Sequence, residues 1–218
     1  MNKYLVILIT AILCSCGEDW AFKEETLYIA AENRDWITPD KYGTSFIMVD
    51  NNKISQGFMM NENSTYLLPQ TSSYFGIRTR ISNHENFAQG WSSNFGQRFT
   101  ITLQAGFEPF GDRLGIGIDR IYFSYDFKFK TIVNISLNSS DLSKTMTDKG
   151  YEENEKICST VEILDSLTVN GVNYDGILHF SLQDFKDIWS DFTIKEVFIG
   201  KHIGLVKYSF KNGITYER

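Results

Sequence analysis

From Ile121 to Phe129 every second residue is apolar: Ile121, Phe123, Tyr125, Phe127 and Phe129 alternate with Tyr122, Ser124, Asp126 and Lys128. A period of two belongs to a strand with one face on a core and the other in water. The same parity runs on through Val133, Ile135 and Leu137, with Lys130, Asn134 and Ser136 on the even side. Unbroken, residues 121 to 137 would reach about 56 Å at roughly 3.3 Å per residue, which is long for a strand, so the spacing predicts a bend or break near Lys130.

Shorter stretches obey the same rule. Phe99, Ile101 and Leu103 alternate with Arg98, Thr100 and Thr102; Phe75, Ile77 and Ile81 alternate with Arg78 and Arg80; Phe46 and Met48 mark another strand. Between such runs lie Asp50-Asn51-Asn52, Asn170-Gly171 and Asn212-Gly213, whose residues tolerate the positive φ of tight turns. These are antiparallel connections. No repeated strand, helix, strand unit is visible, which argues against a parallel sheet. One short helix is expected from Ser181, a capping residue, with Leu182, Phe185, Ile188 and Trp189 on one side. Residues 138 to 156 carry no apolar periodicity and read as a polar loop. The fold class is therefore all-β, a single domain built as an antiparallel curved sheet (half-barrel) or a β-sandwich with at most one short helix.

The first residues carry a different signal. Lys3 opens a short positive region, Tyr4 to Leu13 form an apolar run too short to span a bilayer, and Leu13-Cys14-Ser15-Cys16 follows. This arrangement resembles the leader of a bacterial lipoprotein. The resemblance implies cleavage before Cys16, a diacylglycerol thioether on its sulfur and acylation, palmitate among the chains, of its amine. Cleavage before Cys14 would put bulky Leu13 at the cut, whereas Cys16 has Ser15 there and Leu13 three residues back. An ordinary secretory leader and an uncleaved anchor are the weaker readings. Two or three acyl chains, at about 0.8 kcal/mol per buried CH₂, make a stable anchor. The expected organisation is a signal peptide over residues 1–15, the lipidated cysteine and a tether over 16–25, and a β domain over 26–218. Gly17-Glu18-Asp19 resembles the acidic tract that sends some lipoproteins to the outer face of the outer membrane. The expected location is thus the bacterial outer membrane, lipid-anchored and facing outward.

The C-terminal part carries a second resemblance. Val169 to Ile177 and then Gly200-Lys201-His202-Ile203-Gly204-Leu205-Val206-Lys207-Tyr208 are similar to the closing strands of half-barrel lipoprotein carriers, and the similarity covers about fifty residues. It implies a curved antiparallel sheet and carries over no catalytic residue.

Charge narrows the partners. The chain has a formal net charge of −6, and the leader holds one lysine and no acid, so the remainder is at −7. Such a surface repels phosphate backbones and anionic lipid headgroups, which disfavours nucleic acid. Of three cysteines, Cys14 leaves with the leader and Cys16 takes lipid. Cys158 is then alone, without an intramolecular partner, and burial and backbone pairing must hold the fold. No His or electropositive setting beside Cys158 marks a catalytic thiol, so it reads as a small packing residue.

The catalytic motifs looked for are missing. His84, His179 and His202 are scattered, with no His-Glu-x-x-His pair, and no metal or other cofactor is expected. His84 lies in Ser82-Asn83-His84-Glu85, a turn by composition, and His179 falls on the polar side of its strand. Asp50-Asn51-Asn52 fails the calcium-loop pattern at Ile54 and Ser55. No Gly-x-Ser-x-Gly elbow exists. Gly115-Ile116-Gly117 lacks the third glycine and the helix of a phosphate cradle, and close strand approach explains it. Glu85, Glu108, Asp112, Asp119 and Asp126 could supply the paired acids of a glycosidase, although no spacing singles out two of them.

Aromatic faces are the other sugar-facing device. Trp36, Trp91 and Trp189 lie in or near turns, and Tyr122 falls on the polar side of its strand, so Trp36, Trp91, Tyr122 and Trp189 are the candidate ligand-binding residues. Core packing is the competing role for each. Gly106-Phe107-Glu108-Pro109-Phe110-Gly111-Asp112 reads as a rigid aromatic turn able to border a groove. The expected function is a non-catalytic binding or assembly module with a carbohydrate or protein ligand. A polysaccharide-directed hydrolase and a carrier of lipid or another hydrophobic molecule are the alternatives.

Overall fold

The computed structural model describes residues 25–74, 77–106, 109–118, 121–137, 158–182 and 194–218. Thirteen strands fall in one sheet. They are β1 (Glu25–Leu27), β2 (Ser45–Asp50), β3 (Ser55–Tyr74), β4 (Ile77–Ser93), β5 (Arg98–Gln104), β6 (Arg113–Ile118), β7 (Ile121–Asp126), β8 (Thr131–Leu137), β9 (Cys158–Val169), β10 (Val172–Leu182), β11 (Ile194–Gly200), β12 (Gly204–Phe210) and β13 (Thr215–Glu217). The order β8-β7-β6-β5-β4-β3-β2-β13-β12-β11-β10-β9 is antiparallel throughout, and β1 adds to β4 in parallel. The sheet curls into a nearly closed barrel. A half-barrel grows into this shape by adding strands; a sandwich of two sheets does not.

Strand alternation carries the core. Phe46 and Met48 of β2, Phe99, Ile101 and Leu103 of β5, and Phe123 and Tyr125 of β7 all point into the barrel and are buried. The long run ends where its length requires. Asp126 closes β7, Lys130 takes a φ of 53°, and β8 returns along β7. The asparagine turns also form: Asn170 and Gly171 adopt φ of 50° and 80°, and Gly213 adopts 85°. Two consecutive positive φ values give the primed turn whose twist matches a right-handed hairpin.

Four expectations change. Ser82 to Glu85 is not a turn but part of β4, and His84 is buried there, within 2.8 Å of the Ala105 carbonyl and of the Ser82 hydroxyl. Composition misled because β1 and the β5 end cover this polar stretch and satisfy it. Ser181 and Leu182 continue β10 rather than opening a helix, paired with Thr160 and Cys158; residues 183–193, including Trp189, lie outside the described residues. The short helix that is described is a 3₁₀ turn at Ala31–Trp36. Finally, Gly115 and Gly117 serve a side chain rather than a close strand. A Cβ on Gly115 would lie 2.0 Å from the Tyr122 hydroxyl, because the ring crosses β6 towards Thr102.

The strands β11 and β12, with β10 from Ile177, bury side chains on both faces, whereas β9 is largely exposed. Leu178, Phe180, Val197, Ile199, Leu205 and Tyr208 join the interior, while Val169, Ile177, Phe198 and Val206 form a second cluster. That double coverage explains the near-continuous apolar runs in β11 and β12. The expected polar loop at 138–156 lies outside the described residues.

Candidate functional site

A concavity lies where residues 28–39 cross one mouth of the barrel. This segment cannot pair as a strand, because its 3₁₀ turn and Pro39 break the ladder, so its backbone groups need side-chain partners. β4 supplies two. Gln89, buried and facing inward, accepts the Thr38 amide at 3.2 Å and donates to the Thr38 carbonyl at 2.8 Å. Glu85 Oε2 accepts the Ile29 amide at 2.9 Å and Arg34 at 2.7 Å. Asp112 Oδ2 accepts from the Ala30 amide and the Asn33 side chain, while its Oδ1 takes the Gly106 amide. From the opposite side, the His202 amide donates to the Asp35 carbonyl at 2.6 Å. Lys201 and His202 approach the Asp35 carboxylate at 3.5 and 3.4 Å.

Pinned on three sides, the plug leaves a cleft of about 410 Å³. Ile29, Ile37, Pro39 and Phe87 give it apolar walls, Arg34, Asp35 and Glu85 bring charge to it, and His202 adds an imidazole. Every charge on the lining has an opposite neighbour. Such a site offers hydroxyl partners of both kinds beside a ring, with no net charge to select an ion.

Of the residues weighed from sequence, Glu85 and His202 line this cleft. Trp36 and Trp91 are buried: Trp36 packs 6.3 Å from Phe127, and Trp91 stacks on Phe99 at 5.0 Å. Neither offers a ring face to a ligand. Trp91 fills the core, its Nε1 buried without a hydrogen-bond partner. Tyr122 is half-buried on the outside of the barrel, one side against the glycines of β6. Trp189 and Cys16 lie outside the described residues, as do Glu108 and Asp119. The side chain of Cys158, at the start of β9, is likewise outside the description.

The remaining acids have structural work. Asp126, fully buried, accepts the amides of Gly111, Lys128 and Phe129 and lies 3.8 Å from Arg113. Phe110 in the aromatic turn sits beneath the Arg113 guanidinium and edge-on to Phe129, away from the cleft lining. His179 lies flat on Phe198 at 4.1 Å, with its Nδ1 2.8 Å from Glu162. Among the described residues no three His, Cys, Asp or Glu converge to hold a metal ion.

Sequence reasoning missed Arg34, Asp35, Thr38 and Phe87. The available signal was negative: residues 28–39 break the alternation on either side while holding a charged run beside Trp36 and Ile37. The barrel interior between the described strands is filled by Trp91, Phe99, Phe123, Phe180 and Tyr208, all at most 2 % exposed. Comparison with protein-family models, with curated proteins and with solved structures gives no match.

Proposed function

We propose that this chain is a lipid-anchored outer-membrane protein, held by Cys16 and facing outward, whose β domain binds its ligand without transforming it. Carbohydrate is the ligand class the cleft suits best, with a protein loop as the other. The supporting observation is the charge-balanced cleft at the plugged mouth, where Phe87 lies among Thr65, Arg34, Asp35, Glu85 and His202. An apolar ring covers the C–H face of a pyranose, and paired donors and acceptors read its hydroxyls. The balanced lining favours a neutral glycan over an anionic one.

A specific observation favours a hydrolase as the second reading, since Asp35 and Glu85 share one concavity. Against it, both carboxylates are engaged in fastening the plug, Glu85 to Arg34 and Asp35 to Lys201 and His202. A glycan and peptide screen on the full-length protein in detergent decides between these readings. Binding without product release, weakened about tenfold or more by Phe87→Ala, is the expected result. Glycan cleavage abolished by Glu85→Gln would move the assignment to hydrolase, and binding indifferent to Phe87 would discard the cleft. The anchor is checked separately: mass spectrometry of the mature N-terminus should find acylated Cys16, and protease added to intact cells should reach the domain.

A further inference from the structure

We propose that the outer part of the β3–β4 ribbon is a membrane-docking element, its occupant being the bilayer that holds the anchor; the inference rests on the lipid-anchor reading of Cys16. β3 is 20 residues long, yet β2 pairs only with Ser55 to Met59. From Glu62 to Tyr74 its pairing among the described residues is with β4 alone. On this stretch Tyr66, Leu67 and Leu68 are 46, 52 and 42 % exposed. Consecutive strand residues point to opposite faces, so both sides of the ribbon present apolar surface to water.

The position of β1 says what covers it. Leu68 pairs with His84, which pairs with Leu27, and Gln70 pairs with Ser82, which pairs with Glu25. The exposed residues therefore lie two strand spacings, about 10 Å, from the first described residues of the chain. β1 runs parallel to β4, and β4 runs from the ribbon's turn towards the barrel. The chain thus enters from the side of the turn. Nine residues lead from Cys16 to Glu25, a reach of at most about 30 Å. A bilayer holding Cys16 lies within range of the ribbon. Phe95 lies in the turn past the far end of β4, which closes at Ser93, nine residues and about 30 Å along the strand from His84.

The chemistry fits an interface rather than a span. On β3, Asn63 to Gln70 holds no charged side chain, and the charge opposite Leu67 on β4, Glu85, is already met by Arg34 at 2.7 Å. Open strand edges cannot enter hydrocarbon, but at headgroup depth water still satisfies them, and a tyrosine beside leucines suits that depth. Exposed Tyr28, next to Leu27, lies at the same end. A second copy adding a strand is the poorer occupant, because Pro69 provides no N–H to a new partner on that edge.

The test uses the acylated full-length protein in vesicles of phosphatidylethanolamine and phosphatidylcholine, which carry no net charge, containing a diazirine phospholipid. Photo-adducts are expected on peptides carrying Tyr66 to Leu68, at a yield insensitive to salt. The double substitution Leu67→Asn and Leu68→Asn should cut that yield on the order of fivefold, with thermal midpoint and vesicle flotation unchanged. Flotation with adducts at Phe95 or Ile54, or a dimer crosslinked through β3 without lipid adducts, would overturn the docking proposal alone. A protein lacking acyl mass that fails to float would overturn the anchor reading, and the docking with it.

Discussion

Gly115 and Gly106 both stand where a methyl group has no room, but what fills the room differs. At Gly115 the obstacles are side-chain ends, the Tyr122 hydroxyl at 2.0 Å and Thr102 Oγ1 at 2.3 Å. At Gly106 they are the backbone carbon and oxygen of Gly111, both at 2.2 Å. A ring can lift from the sheet; a loop held by Asp112 and Asp126 cannot move as cheaply. Gly115→Ala should therefore cost about 1–2 kcal/mol, and much less in a Tyr122→Ala background, whereas Gly106→Ala should cost about 3 kcal/mol in either background. Denaturant midpoints of the four variants check this. A second residue-scale effect follows from Tyr125, whose hydroxyl is pushed up from 10.0 by burial and then by the charge of Asp126. Tyr216 is raised likewise, by burial and then by Asp50. The unfolded chain releases these protons first as pH rises, so stability is level below about pH 10 and falls above it, towards the folded-state values. Tyr125→Phe should flatten that alkaline fall, a change read from urea midpoints across the alkaline range.

Among the elements, the plug depends most on distant residues. Gln89 satisfies both backbone groups of Thr38 across 51 positions of sequence, and Asp112 reaches Ala30 across 82. Replacing Gln89 with Leu would leave the buried Thr38 amide and carbonyl without partners, a loss of about 2–4 kcal/mol at roughly 1–2 per group. Hydrogen exchange should show where the loss falls, with 28–39 deprotected and β5 to β7 unchanged. Uniform deprotection would mean that the plug is integral to the barrel. The same long-range dependence marks the limit of what sequence reveals. β2, β5 and β7 were legible because alternation is local, and the break near Lys130 followed from length alone. Asn170-Gly171 was legible because only certain residues accept its φ values. The plug was not: nothing within residues 28–39 says that Glu85, Gln89 and Asp112 will point inward to meet it. Trp36 and Trp91 looked available as ring platforms because their neighbours read as turns, yet the plug buries one and β4 carries the other into the core. The helix expected from Ser181 does not start there because β9 takes up Ser181 and Leu182 as strand, pairing them with Thr160 and Cys158, a long-range contact that a capping residue cannot announce.

For the whole molecule, the unanswered demand of a barrel is closure. Curling the sheet brings β8 and β9 to its two ends, and among the described residues no ladder joins them. Elsewhere along the β8-to-β9 path each strand has a neighbour on both sides for at least part of its length, and β5, β6, β11 and β12 also bury branched and aromatic side chains. Local opening follows the least-paired path, so the barrel should breathe at this seam rather than at the β2–β13 junction, although β13 is only three residues long. The reason is that β13 is tied to both neighbours: Tyr216 stacks on Tyr208 of β12 at 5.0 Å and Glu217 accepts from Lys207 at 2.7 Å, while on the β2 side Tyr216 pairs with Asp50 and the Asn51 amide donates to the Thr215 carbonyl at 3.2 Å. Native-state hydrogen exchange discriminates the two sites. Amides of β8 and β9 are expected to exchange at least tenfold faster than those of β12 and β13, a difference of about 1.4 kcal/mol in opening free energy. If β13 exchanges first, the sheet is weakest where its C-terminus meets its N-terminal half, and the seam is held by residues other than the described strands. A disulfide designed between β8 and β9 would then leave the thermal midpoint unchanged, whereas a seam that opens first gains several degrees from the same bond.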